Sequence, residues 1–144
     1  MIATCGLAFG AQDPSRPPAS PPEVRAIRTS EPPTLDGDVI NDKAWLDAQP
    51  ATSFWQTVPV EGAPATEATE VRILFDDRNL YVGVVCFDSD PSGVFASDSR
   101  RDASLEETDS FQFILDTFLD RQSGVVFGTN PAAIEYDGQV TREG

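Results

Sequence analysis

Carboxylates are the main side chains available for chemistry in this 144-residue chain, which has 24 acidic residues, two cysteines and no histidine. The absence of histidine excludes Ser-His-Asp and Cys-His triads and zinc sites ligated by histidine. A glycosidase needs two carboxylates about 5–10 Å apart across a cleft, and so many acids will provide such a pair by chance. The composition therefore makes an enzyme the least favoured class of function.

The formal net charge of −14 argues against nucleic acid as a partner, because phosphate binding requires clustered lysines and arginines. Acidic and basic residues balance up to Pro33, so the whole net charge lies in the sequence that follows. Solvated acidic loops explain this charge, and cation binding is the alternative interpretation. No apolar stretch approaches the roughly 20 residues of a membrane-spanning helix, so this segment is not expected to span a membrane.

The beginning of the chain is not expected to belong to the folded domain. Residues 1–12 are small and apolar and resemble the second half of a signal peptide, although a basic start is missing. Residues 13–22 are half proline, which favours an extended linker. The domain is expected at residues 23–144, in a protein that is secreted, periplasmic or part of the cell envelope. A strand-like segment runs up to Gly144, which predicts a longer polypeptide with further strands.

The rest of the sequence predicts an all-β fold, because short alternating segments are separated by turn residues. A hairpin is predicted at residues 71–75 and 80–87, and its second strand is expected to be central because it is apolar on both faces. Cys86, in that strand, is predicted to be a buried core residue. The other predicted elements are strands at 24–28, 54–58, 109–116 and 125–127, a helical turn at 41–48, and a hairpin at 134–136 and 139–141 around Asp137-Gly138. Together they predict a β-sandwich that is jelly-roll-like.

Several short motifs follow one another in a recognisable order. They are Leu35-Asp36-Gly37, Asp42-Lys43-Ala44-Trp45, Thr69-Glu70-Val71-Arg72, Asn79-Leu80-Tyr81-Val82-Gly83, Asp88-Ser89-Asp90-Pro91, Arg100-Arg101-Asp102, residues 109–116 and Asn130-Pro131. Over about residues 23–144 this order resembles the family 9 carbohydrate-binding module, in the form that opens large secreted or envelope proteins of bacteria. The resemblance implies a β-sandwich that binds sugars without catalysis. It also implies two tryptophan rings around a terminal sugar, polar groups on its hydroxyls, and structural calcium.

Trp55 is the predicted stacking residue. It lies on a predicted strand next to Phe54, and if Phe54 faces inward then Trp55 faces outward. A packed surface tryptophan is the alternative interpretation. Trp45, in the helical turn beside Leu46, is expected in the core instead, so a second sandwiching tryptophan would have to lie beyond Gly144.

The predicted polar contacts to the sugar are Arg100, Arg101, Gln112, Asp116 and Asn130. Arginine suits vicinal hydroxyls because it offers paired donors, and an outward amide and carboxylate on one strand form a polar floor. Each of these predictions has a structural alternative. The arginines can pair with neighbouring acids, the strand face can be merely solvated, and the asparagine can cap a turn. The acids near the arginines are Asp98, Asp102 and Asp109.

Calcium is the expected cofactor, in a structural role, with Asp88 and Asp90 as the predicted ligands. The pairs Asp36 and Asp38, and Asp76 and Asp77, form further acidic loop clusters. Ordinary turn chemistry explains each cluster as well, because aspartate side chains accept hydrogen bonds from nearby backbone N–H groups.

Three functions remain compatible with the sequence. The first is non-catalytic carbohydrate binding that supports carbohydrate breakdown by a larger secreted protein. The second is an envelope adaptor on the same fold, without a sugar site. The third and least favoured is a fragment of a glycoside hydrolase, whose activity would belong to an attached domain.

Overall fold

The computed structural model describes residues 23–141, so the predicted signal peptide and linker lie outside the described residues. The described residues divide into two compact units, with the boundary between Ser89 and Asp90. In the described residues each unit contains one three-stranded sheet, and the helices are two short 3-10 turns, which confirms the all-β class. Neither turn has the length and apolar character that crossing a bilayer would require. The elements are β1 (Ile27–Arg28), a 3-10 helix (Lys43–Trp45), β2 (Thr69–Phe75), β3 (Leu80–Cys86), a second 3-10 helix (Pro91–Gly93), β4 (Phe111–Leu115), β5 (Ser123–Thr129) and β6 (Tyr136–Thr141).

The sheet of the first unit has the strand order β1-β2-β3. Strands β2 and β3 pair antiparallel along their whole lengths, which confirms the predicted hairpin. The predicted strand at 24–28 is reduced to the two residues of β1, which run parallel to β2 at the edge. The expectation that β3 is central is wrong, because β2 is the middle strand of this sheet. A strand with apolar residues on both faces is expected to be covered on both faces. That pattern does not indicate whether both edges of the strand are hydrogen-bonded to neighbouring strands.

The core of the first unit is built around Trp45, at the end of the first 3-10 helix. Asp42 caps this helix by accepting a hydrogen bond from the Ala44 backbone N–H, as the predicted helical turn requires. Trp45 is only 5% exposed, which confirms its predicted place in the core. Its ring lies against β3 at Gly83, where a Cβ atom would be 2.9 Å from the indole. Glycine therefore permits this close approach. The cluster comprises Trp45, Ala48 and Leu74, with Ile27, Val39, Ala44 and Tyr81 packed against it.

The turn between β2 and β3 is organised by the carboxylate of Asp76. It accepts hydrogen bonds from the backbone N–H groups of Arg78 and Asn79 and from the Tyr81 hydroxyl, at 2.7 Å each. The Tyr81 hydroxyl and these N–H groups hold the pKa of Asp76 well below its usual range. The same hydrogen bond to Asp76 raises the pKa of Tyr81.

These opposite pKa shifts predict stability losses at both ends of the pH range. The folded Asp76 carboxyl has a lowered pKa, so its contribution is present above about pH 4 and is lost as the pH falls towards the folded value. The folded Tyr81 has a raised pKa, so its contribution is present below about pH 10 and is lost as the pH rises through the folded value. We expect Tyr81→Phe to abolish the alkaline loss in urea unfolding midpoints measured against pH. Tyr136→Phe is the matched control, and an equal effect of that substitution would contradict the assignment.

The sheet of the second unit has the strand order β4-β5-β6, and all of its pairs are antiparallel. Strand β4 confirms the predicted alternation, because Phe111, Phe113 and Leu115 are half-buried while Gln112 and Ile114 are exposed. The predicted hairpin around Asp137-Gly138 is wrong. Both residues lie inside the continuous strand β6, because β5 is long enough to pair with it on either side of the expected turn.

Two further predictions are corrected in the first unit. Residues 54–58 do not form a strand, and only an isolated bridge joins Trp55 to Pro64. Cys86 is exposed and not buried, because it is the last residue of the edge strand β3.

Candidate functional site

A row of three side chains crosses the sheet of the second unit. Phe113 on β4 pairs with Phe127 on β5, and Phe127 pairs with Asp137 on β6. Directly paired residues in antiparallel strands project from the same face, so the three side chains are neighbours. The two rings stack with centroids 5.5 Å apart and planes 27° apart, yet Phe127 remains 38% exposed. An aromatic surface therefore lies beside a carboxylate and in contact with solvent.

Two of the three residues on the opposite face of β5 are glycines. Gly124 and Gly128 occupy positions of the opposite parity to Phe127. A Cβ atom at Gly128 would lie 2.6 Å from the side chain of Leu105, which is buried in the loop before β4. Leu105 thus packs closely on β5 at Gly128, on the face opposite to the one that presents Phe127.

Arg101 connects the loop before β4, in which it lies, to strand β6 and the residue before it. Its guanidinium donates from Nη1 to Glu135 and from Nη2 to Asp137, the latter at 2.6 Å, and its Nε lies 3.3 Å from Asp102. The charges of Asp102, Asp137 and Glu135 together raise the pKa of Arg101. The backbone N–H of Asp102 also donates to the carbonyl oxygen of Glu135 at 2.9 Å. Arg101 therefore fixes the Asp137 carboxylate next to the aromatic ring. We call Phe113, Phe127, Asp137, Arg101 and Glu135 the Phe127 surface.

The other predicted arginine, Arg100, has a different partner. It forms a salt bridge of 2.6 Å with Asp98, and its hydrogen bonds hold the pKa of Asp98 well below the usual range. The structural alternative for the two arginines, pairing with neighbouring acids, is therefore what the structure contains. The arginine salt bridges do not include Asp109, whose carboxylate accepts a hydrogen bond from the Phe95 backbone N–H.

Asn130 has the structural role that was its alternative interpretation. It is 7% exposed, its Oδ1 accepts a hydrogen bond from the Ala132 N–H at 2.9 Å, and its Nδ2 donates to the Asp98 carbonyl at 2.8 Å. Asn130 thus caps the turn after β5 and anchors the loop that carries Arg101. Direct contact with a ligand stays a prediction for this residue.

Gln112 and Asp116, which are predicted to form one polar surface on β4, have different roles in the structure. Gln112 is exposed on β4, on the face opposite to Phe113. Asp116 follows the strand and accepts hydrogen bonds from the backbone N–H groups of Asp120 and Arg121. Its carboxylate therefore shapes the loop between β4 and β5, and neither residue belongs to the Phe127 surface.

Trp55 lies in the first unit and does not present its ring as expected. It is half-buried, whereas Phe54 beside it is the exposed member of the pair. The Trp55 indole N–H is buried and has no hydrogen-bond acceptor among the described residues. Packing of the ring explains this better than an outward stacking platform, and a role in sugar binding stays a prediction.

The predicted metal ligands Asp88 and Asp90 fall on either side of the boundary between the units. Within residues 23–141, no group of three or more Asp, Glu, Cys or His side chains is arranged to hold a metal ion. An open polar groove of about 410 Å³ lies in the first unit, beside Asp36, Asp38 and Asp42. Each of these carboxylates already accepts a hydrogen bond from a nearby backbone N–H, so turn chemistry explains them.

Arg101 is the one member of the Phe127 surface that the sequence singles out as a site residue. The sequence places Asp137 in a tight turn, and a residue in a turn has no cross-strand partner. The short predicted strand at 125–127 is the available signal that Phe127 lies in a sheet, where its side chain projects from one face.

Comparisons with family models, with curated proteins and with solved structures found no match for this chain.

Proposed function

We propose that this chain is a non-catalytic carbohydrate-binding module that uses the Phe127 surface. The observation that carries the proposal is the exposed Phe127 ring, paired across the sheet with an Asp137 carboxylate that Arg101 holds in place. A pyranose has an apolar C–H face that packs on an aromatic ring, and its hydroxyls bind charged donors and acceptors. The order of motifs that resembles family 9 carbohydrate-binding modules supports the same function.

The finer architecture and setting belong to this proposal. They are the jelly-roll-like β-sandwich that the resemblance implies, in an exported module of a larger protein, with calcium as a structural ion. Sugar binding would support carbohydrate breakdown by an attached domain, and the module itself would perform no chemistry.

Calorimetric titration of the whole chain with a panel of oligosaccharides tests the proposal. Both tryptophans lie in the first unit, so tryptophan fluorescence is a poor reporter for the Phe127 surface. We expect saturable heat with at least one sugar. Phe127→Ala should weaken that binding roughly tenfold or more, because the apolar contact of the ring is lost.

Two variants make this test specific. Phe127→Leu keeps an apolar side chain but removes the ring, so it separates stacking from packing. Phe118→Ala removes a phenylalanine that is exposed in the loop between β4 and β5, and it should leave sugar binding unchanged. The proposed surface is wrong if both Phe127 variants fold and bind sugar as the original chain does.

An interaction domain is the second candidate function, and one observation favours it. Phe118 and Leu119 are 78% and 88% exposed at a loop that Asp116 and Asp120 hold through backbone hydrogen bonds. Exposed apolar side chains on an ordered loop suit contact with another protein. A folded chain that binds none of the sugars would favour this candidate.

A further inference from the structure

The Phe127 surface has an excess of negative charge. Arg101 meets the carboxylates of Glu135 and Asp137, which belong to the surface, and that of the adjacent Asp102. One guanidinium therefore faces three carboxylates, and two negative charges remain uncompensated among these four side chains. The whole chain adds to this field, with its net charge of −14. A sugar that carries a carboxylate or sulfate would be repelled, and a sugar that carries a cation would be attracted.

Direct cross-strand pairing of Phe127 with Asp137 distinguishes this surface from a loop such as the one that carries the exposed Phe118 beside Asp116 and Asp120. Phe127 is exposed next to Asp137, and the negative face of an aromatic ring attracts an ammonium group. Asp137 receives one hydrogen bond from Arg101, and a carboxylate can accept about four. A ring and a carboxylate side by side can therefore bind the apolar face of a sugar together with a neighbouring protonated amine.

We propose that the glycan bound at the Phe127 surface is an amino sugar with a free, protonated amine, such as an oligomer of glucosamine. This inference rests on the proposed function and specifies its ligand class. The ammonium group binds Asp137, and the pyranose ring packs on Phe127. Arg101 acts as a positioning residue, because it holds Asp137 beside the ring.

Three tetrasaccharides with the same β-1,4 backbone test this inference by calorimetry on the whole chain. They are the tetramers of glucosamine, of N-acetylglucosamine and of glucose, which differ in the substituent at C2. At mildly acidic pH the amine is protonated, while ordinary carboxyl groups, with pKa values near 4, remain ionised. One unscreened charge pair at contact distance in water is worth roughly a fivefold change in affinity, so we expect a preference of that size for the glucosamine tetramer. The preference should shrink when salt is added.

A pair of variants separates a specific contact from general attraction to an acidic protein. Asp137→Asn removes the carboxylate beside Phe127, whereas Glu107→Gln removes one exposed charge elsewhere in the same unit. Asp137→Asn should bring the affinity ratio of the glucosamine and glucose tetramers close to one, and Glu107→Gln should leave the ratio unchanged. Thermal unfolding of both variants shows whether each is folded.

The results of these titrations distinguish a failure of the amino-sugar inference from a failure of the proposed function. If folded chain binds the three tetramers equally, or if Glu107→Gln lowers the ratio as much as Asp137→Asn does, the amino-sugar inference is wrong and the proposed function stands. If folded chain binds none of the tetramers and no sugar of the wider panel, the proposed function fails and the inference fails with it.

Discussion

Replacing Trp45 with alanine is expected to lower the free energy of unfolding by about 3–5 kcal/mol, the usual cost of truncating a buried tryptophan. Trp45 is 5% exposed and forms the buried cluster with Ala48 and Leu74. Its ring also covers Gly83 on β3, so the substitution leaves a cavity between the helix and the sheet. Urea unfolding followed by far-UV circular dichroism measures the change.

Leu46→Ala is the control for this prediction, because Leu46 follows Trp45 in the chain but is 72% exposed. We expect that change to alter stability by less than about 0.5 kcal/mol. Equal losses in the two variants would show that Trp45 is not the centre of the core.

Replacing Gly124 with alanine is the second substitution with a large expected effect. A Cβ atom at this position would lie 2.7 Å from the Ile114 side chain and 2.9 Å from the Leu115 carbonyl oxygen. The side chain can rotate away, but the carbonyl belongs to the backbone of β4 and can move only if the sheet distorts. Overpacking of this kind costs about 1–3 kcal/mol, which urea unfolding will measure.

Gly93→Ala provides the matched control in the same unit. An added Cβ atom at Gly93 meets nothing within 4 Å, so the same chemical change should be neutral or slightly stabilising. If Gly124→Ala is also neutral, the strands β4 and β5 cannot pair as closely as the structure indicates.

The parts of the fold that are predictable from sequence are those in which local pattern and tertiary structure agree. The β2–β3 hairpin combines an alternating strand with a turn of Asp and Asn side chains, and both signals are local. The place of Trp45 in the core follows from its position beside a capped helical turn. For these elements, neighbouring residues contain the physical cause of the structure.

The incorrect predictions concern places where distant pairing overrides a local signal. Asp137-Gly138 favours a tight turn, but hydrogen bonding to β5 keeps both residues extended in β6. The place of β3 at the edge of its sheet is likewise a matter of which strands pair, and apolar composition does not encode it.

The candidate site is predictable only in part. The sequence identifies Arg101, together with its pairing with a neighbouring acid, Asp102. Its other partners, Glu135 and Asp137, lie 34 and 36 residues further along the chain, and no local pattern reveals contacts at that separation. Phe127 becomes a candidate only when its cross-strand neighbour is known.

The contact between the Arg101 loop and β6 also bears on self-association. An edge strand offers backbone N–H and C=O groups to which a strand from another molecule can pair, which is the first step of many aggregation reactions. The Asp102 N–H already occupies the Glu135 carbonyl just before β6, and Arg101 clamps the loop there through Glu135 and Asp137. These contacts occupy backbone and side-chain groups at the start of the β6 edge, so a strand of another molecule could pair there only after displacing them.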